Sequence, residues 1–103
     1  MFMDAHIYIL CSKSLNKFYT GSTELEPTKR LELHLNKVYG NEKFTSIAND
    51  WELYYQHLCS NIRQAKLIEN HIKKMKSRVY IQNLKKYPEI MTKLLLRYPG
   101  SSR

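Results

Sequence analysis

Glu69 is the residue of this sequence whose position most needs a reason. Ile62, Ala65, Ile68, Ile72 and Met75 step by three or four and form one apolar helical stripe. Glu69 lies four residues after Ala65 and three before Ile72, so it falls inside that stripe. A carboxylate facing a core is costly unless it is paired or holds a cation. One reading is an edge-of-stripe glutamate bent to solvent or paired with Lys66, Lys73 or Arg30. The other is a metal ligand within a phosphate-handling surface. Charge favours the second: between residues 61 and 86 the bases are Arg63, Lys66, Lys73, Lys74, Lys76, Arg78, Lys85 and Lys86, and Glu69 is the only acid. A one-sided basic stretch on a chain of net charge +8 is the footprint expected for a polyphosphate partner.

Two further pairs could do chemistry. Arg30 and His34 are four residues apart, neighbours on one face if that segment is helical. Arginine can hold a phosphate bidentately, and a histidine beside it can exchange protons near neutral pH. A plain surface pair is the competing reading. Tyr8 and Tyr19 lie on what read as adjacent strands, where ordinary strand aromatics are the competing reading. Whether they share a face depends on a register that spacing does not fix.

Other chemistries lack support. His6, His57 and His71 have no zinc-ligand spacing. No P-loop, GxGxxG or GxSxG occurs. Cys11 and Cys59 lie outside any CxxC pattern and read as reduced thiols of a cytoplasmic protein, with a single bridge between them as the alternative. The start MFMDAHIYIL lacks the features of a signal peptide, and no apolar run approaches the roughly 20 residues of a membrane span.

These residues need elements to carry them. HIYIL and FYTG read as strands joined by the polar connection CSKSLNK. Thr23, Glu26 and Pro27 give a capping-box start to a helix through Leu31, Leu35 and Val38. WELYYQHL reads as a third strand, with Trp51 and Tyr54 expected to pack against a helix. A helix over 61–76 follows, then VYIQNLKKY and EIMTKLLLRY as short helices, and a frayed tail PGSSR. The order β-β-α-β-α plus C-terminal helices predicts an α+β fold, a small three-stranded antiparallel sheet flanked by helices. At 103 residues this is a single domain.

Taken in order, these pieces resemble the GIY-YIG endonuclease family, specifically its short stand-alone bacterial members. His6-Ile7-Tyr8 matches the first motif with its glycine replaced, and Tyr19-Thr20-Gly21 the second with its isoleucine replaced. KRLELH is similar to the helix carrying the family's arginine and histidine, and AKLIENHIKKMKSR to the helix carrying its metal-binding glutamate. The family's late asparagine has only Asn83 as a candidate. The likeness places a nuclease domain at 1–87, with 88–103 a C-terminal helix and tail of the same domain.

The resemblance implies phosphodiester hydrolysis of DNA, with RNA as a second substrate class, in repair or recombination and directed by substrate structure. It implies a catalytic set of Tyr8, Tyr19, Arg30, His34 and Glu69, with Glu69 holding one Mg²⁺ or Mn²⁺, and it requires a hairpin register that places both tyrosine rings on the face that meets Glu69. Arg63, Lys66, Lys73, Lys74, Lys76 and Arg78 would grip the backbone. The protein would be a monomer or weak homodimer, unattached to membrane. The alternatives are a catalytically silent nucleic-acid-binding module on the same scaffold, and a basic structural or ribosome-associated protein. All five catalytic positions carry competent residues, which weighs against decay.

Overall fold

HIYIL does not alternate cleanly, and the structure gives the reason. In a computed structural model, which describes residues 4–24, 29 and 50–100, Ile7, Tyr8, Ile9 and Leu10 are all buried. They belong to β1 (Ala5–Ser12), the central strand of a three-stranded sheet between β2 (Lys17–Thr23) and β3 (Trp51–Cys59). Both pairings are antiparallel. A strand covered on both faces reads as a continuous apolar run. The architecture is the expected α+β arrangement, with three helices following the sheet among the described residues.

The strands run further than the sequence predicts. The hairpin connection shrinks to residues 13–16, closed by the Asn16 amide donating to the Lys13 carbonyl at 3.2 Å. Asn16 has φ 55°, a left-handed conformation that asparagine tolerates. Asp50 holds the turn from outside: it accepts from Ser12 Oγ at 2.6 Å, the Ser14 amide at 2.8 Å and Ser14 Oγ at 2.9 Å. Thr23, expected to cap a helix, is the last residue of β2; Glu26, Pro27 and the helix they would begin lie outside the described residues. A bulge in β3 sets Ile9 opposite Tyr55 and Leu10 opposite Leu53.

The 61–76 stripe forms α1 (Ile62–Met75). Asn61 caps its start, its side chain accepting from the Gln64 amide at 3.0 Å. Lys76 ends it in the left-handed region at φ 48°, a conformation usually left to glycine. Ser77 then caps α2 (Arg78–Lys86), and Pro88 opens α3 (Pro88–Arg97). Ala65, Ile68 and Ile72 of α1 pack on Ala5, Ile7 and Ile9 with Leu84, Met91 and Leu94. The opposite face carries Tyr8, Leu10 and Trp51, with Leu15, Tyr19 and Leu53 against them. Trp51 belongs to the aromatic face of the sheet, and Tyr54 packs against the helical core as expected.

The leucine-rich face of α3 closes the core, with Met91 1% and Leu94 5% exposed. The tail is not frayed as expected through residue 100. Gln64 Nε2 donates to the Tyr98 carbonyl at 3.0 Å, and Asn61 Nδ2 to that of Gly100 at 2.9 Å. The α1 start thereby satisfies carbonyls that a frayed end would leave to water. Both cysteines are free. Cys59 is opposite Ala5 and Cys11 opposite Glu52, about 20 Å apart along the strands and far beyond disulfide reach.

Candidate active site

The hairpin register answers the question of the two tyrosines. Opposed residues of antiparallel strands share a face, and successive residues alternate. Tyr8 is opposite Gly21 and Leu10 opposite Tyr19, so both rings lie on one face. Their centroids are 6.4 Å apart, and Trp51 lies 6.5 Å beyond Tyr19. The ring of Tyr8 runs outward across the neighbouring strand. A Cβ added at Gly21 would meet Tyr8 Cζ and Oη at 2.5 Å each. Gly21 is therefore required by close approach, and the Tyr8 hydroxyl end rests over β2, which is an edge strand among the described residues.

Glu69 reaches the same strand from the other side. Its Oε1 accepts from Ser22 Oγ at 2.6 Å, and Ser22, opposite Ile7, belongs to the helical face. The carboxylate is 6% exposed. Lys73 Nζ sits 2.7 Å from Oε2, and Lys66 Nζ 3.8 Å from Oε1. The paired-glutamate reading is thus correct as local structure, and it leaves the second reading open. The phenol and the carboxylate contact adjacent residues of β2, Gly21 and Ser22, from opposite faces of the sheet. The reading of the tyrosine pair requires both rings on the face that meets Glu69; the register puts them on the other face, so that expectation fails.

Arg30 and His34 lie outside the described residues. Of the basic set, Arg63, Lys66, Lys73, Lys74, Lys76 and Arg78 are all exposed. Two of them have structural duties, the first among those the sequence offered and the second not. Lys73 neutralises Glu69, and Arg78 donates to the Asn16 carbonyl at 2.7 Å and to Asn16 Oδ1 at 2.8 Å. Ser22, the partner that fixes the carboxylate, went unselected, because only the register brings it under α1.

The geometry can be set beside known proteins. The family model for the GIY-YIG catalytic domain matches residues 4–86, which include both tyrosine strands and all of α1 and α2. The chain belongs to the GIY-YIG family. No curated protein and no solved structure matches it. GIY-YIG domains are nuclease domains, so the polyphosphate partner read from charge is a nucleic-acid substrate. No helix among the described residues is long and apolar enough to cross a membrane.

GIY-YIG nucleases generally use a divalent metal ion. No group of three or more His, Cys, Asp or Glu able to hold one occurs among the described residues. Glu69 offers one hard carboxylate oxygen, with Ser22 fixing the other. Lys73 shows that the free side of Oε2 accepts a cation. One carboxylate, with water and substrate phosphate as the remaining ligands, suits Mg²⁺. The residues fit the ion, on condition that Lys73 yields its place.

Proposed function

We propose that the protein is an endonuclease that cuts DNA with one Mg²⁺ or Mn²⁺ ion held by Glu69. Its substrate is chosen by structure rather than sequence, as in repair or recombination, and it works in the cytoplasm as a monomer or weak homodimer. The observation that carries this reading is the nearly buried Glu69 carboxylate, held by Ser22 Oγ on β2 with a cation at its other oxygen. Tyr8 lies against Gly21, the preceding residue of that strand, and is fully buried, so its part in the reaction requires its hydroxyl to become accessible when substrate binds.

Each residue then has a role. Tyr8 accepts a proton from the attacking water as general base. A free tyrosine loses its proton near pH 10, so a nearby positive charge must lower that value. Tyr19, on the same face, hydrogen-bonds the phosphate or Tyr8. Arg30 donates to the phosphate oxygens as charge develops on them, a preorganised clamp that needs no reorganisation during the reaction. His34 orients Tyr8 or the water. When bound, the ion supplies Lewis acidity to the scissile phosphate. Arg63, Lys66, Lys74 and Lys76 hold the flanking backbone without reading bases.

The Lys73–Glu69 ion pair favours a second reading, a silent nucleic-acid-binding module whose carboxylate is merely structural. One experiment separates the two. The protein and its Glu69→Ala variant are incubated with labelled single-stranded, duplex, forked and nicked DNA, and with RNA, with and without Mg²⁺ or Mn²⁺. Metal-dependent cutting that the variant loses supports the enzyme. Binding with no cutting of any substrate overturns it.

A further inference from the structure

A groove of about 530 Å³ opens where the start of β2 faces the junction of α1 and α2, lined by Lys17, Phe18, Lys76, Ser77, Arg78 and Ile81. Among the described residues three cations line it and no acid does. Ser77 and Arg78 begin α2, whose first turn contains no acidic residue. The positive end of that helix dipole therefore adds to the lysine and arginine charges. The floor is apolar, from Phe18 and Ile81, which suits the sugar and base flanking a phosphate better than a free inorganic anion. The walls are fastened. Arg78 grips the Asn16 turn and lies 5.0 Å over the Phe18 ring, and Ser77 Oγ accepts from the Tyr80 amide at 3.1 Å.

The groove is aligned with the proposed catalytic centre. Glu69 and Lys73 occupy positions i and i+4 of one helical face, and Lys76 caps the end of that helix. As α1 runs from Glu69 toward Lys76, the facing strand runs back from Ser22 toward Phe18. Seven helical residues span about 10.5 Å and four strand residues about 13 Å. Those lengths are about three to four steps of a nucleic-acid strand at about 3.4 Å each.

We infer that this groove is a second DNA-backbone subsite, holding the strand some three to four steps from the bond that is cut. The inference rests on the nuclease reading for the position of that bond, and on the groove alone for the binding. The strand runs along β2, an edge strand among the described residues, past Lys73, with one phosphate in the groove against Lys17 and Lys76. The groove reads charge and an apolar flank, so it offers no base specificity.

The test is binding of a labelled single strand to the full chain without metal, followed by anisotropy across a salt series. In Lys17→Gln/Lys76→Gln the slope of log K against log salt is expected to fall by about 1.4, two contacts at about 0.7 each. Lys17→Arg/Lys76→Arg should restore it, and Lys93→Gln on α3 should leave it unchanged. Melting curves matched to the parent show that the variants are folded. An RNA strand of the same sequence shows whether the subsite distinguishes the two sugars; it is expected not to. An unchanged slope in the Gln variant, with cutting intact, overturns the subsite alone. A fall in slope in a protein that cuts nothing upholds the subsite and overturns the nuclease reading alone.

Discussion

Gly21 and Lys73 show how one residue can fix the position of a functional group. At Gly21 a methyl group would overlap the Tyr8 ring at 2.5 Å, and Tyr8 is fully buried, with no open side to swing toward. Gly21→Ala is expected to cost about 1–3 kcal/mol, the range for overpacking a filled site. Its effect should be less than additive with Tyr8→Ala, which removes the obstructing ring. Denaturant melts of the two single variants and the double variant measure that coupling. Lys73 acts through charge. Its ammonium is half exposed and 2.7 Å from Glu69 Oε2, so the pair is worth roughly 0.2–1 kcal/mol. Lys73→Met should therefore tighten Mn²⁺ binding up to about fivefold, read by the loss of the free-ion paramagnetic signal. Weaker binding would show that Lys73 assists the ion rather than competing with it.

At the scale of elements, the helices were more legible than the strand ends. The α1 stripe predicted its span within a residue at each end, because spacing by three and four encodes a buried face directly. Strand lengths and the hairpin turn were misjudged, because Cys11, Ser12 and Lys17 are polar or small yet pair in the ladder. Ser12 is buried because Asp50, distant in sequence, accepts its hydroxyl. The tail was misjudged for a related reason: its anchors, Asn61 and Gln64, are polar residues on another element.

The packing of α3 on α1 also creates a titratable contact. His71 Nδ1 lies 2.9 Å from the Tyr98 hydroxyl, and its ring faces Tyr80 and Tyr98. Burial, then the charges of Arg97 and Lys74, hold its pKa below the ordinary 6.5. The unfolded chain therefore binds the proton more readily. This contribution to stability is present above pH 6.5 and is lost as pH falls through the lower folded value. The melting temperature should decline as pH is lowered from 7 to 5, and less steeply in His71→Gln. Asp50 does not confuse the measurement. The hydrogen bonds from Ser12 and Ser14 lower its pKa beneath 3.8, so its contribution is lost only at more acid pH.

At the scale of the whole molecule, type and order single out Tyr8, Tyr19 and Glu69 as candidates but do not place them on the faces of the sheet. Their arrangement around the edge strand depended on a register, and registers follow from turn length and long-range packing rather than from the motif. The sheet carries an aromatic layer on one face and an aliphatic helical layer on the other. Among the described residues β2 is an edge strand, touched by Tyr8 on one face and by Glu69 on the other.

The same view of the molecule bears on where its folding unit ends. The match to the catalytic domain stops at residue 86, but the core does not. Met91 and Leu94 of α3 share one buried cluster with Ile68, Ile72 and Leu84, and the Leu95 and Tyr98 carbonyls receive the Gln64 side chain. Removing α3 would expose the apolar stripe of the helix that carries Glu69 and strip Gln64, 6% exposed, of two of its partners. A chain ending at Lys86 is therefore expected to lose cooperative melting and to expose apolar surface, seen as increased binding of a hydrophobic dye. Leu94→Ala in the full chain is the milder test, expected to cost about 2–5 kcal/mol as a buried leucine truncation. Because Leu94 lies on α3 and on none of the elements that carry the proposed site, cutting per folded molecule should be unchanged in that variant. A truncated chain that melts as cooperatively as the parent would place α3 outside the folding unit.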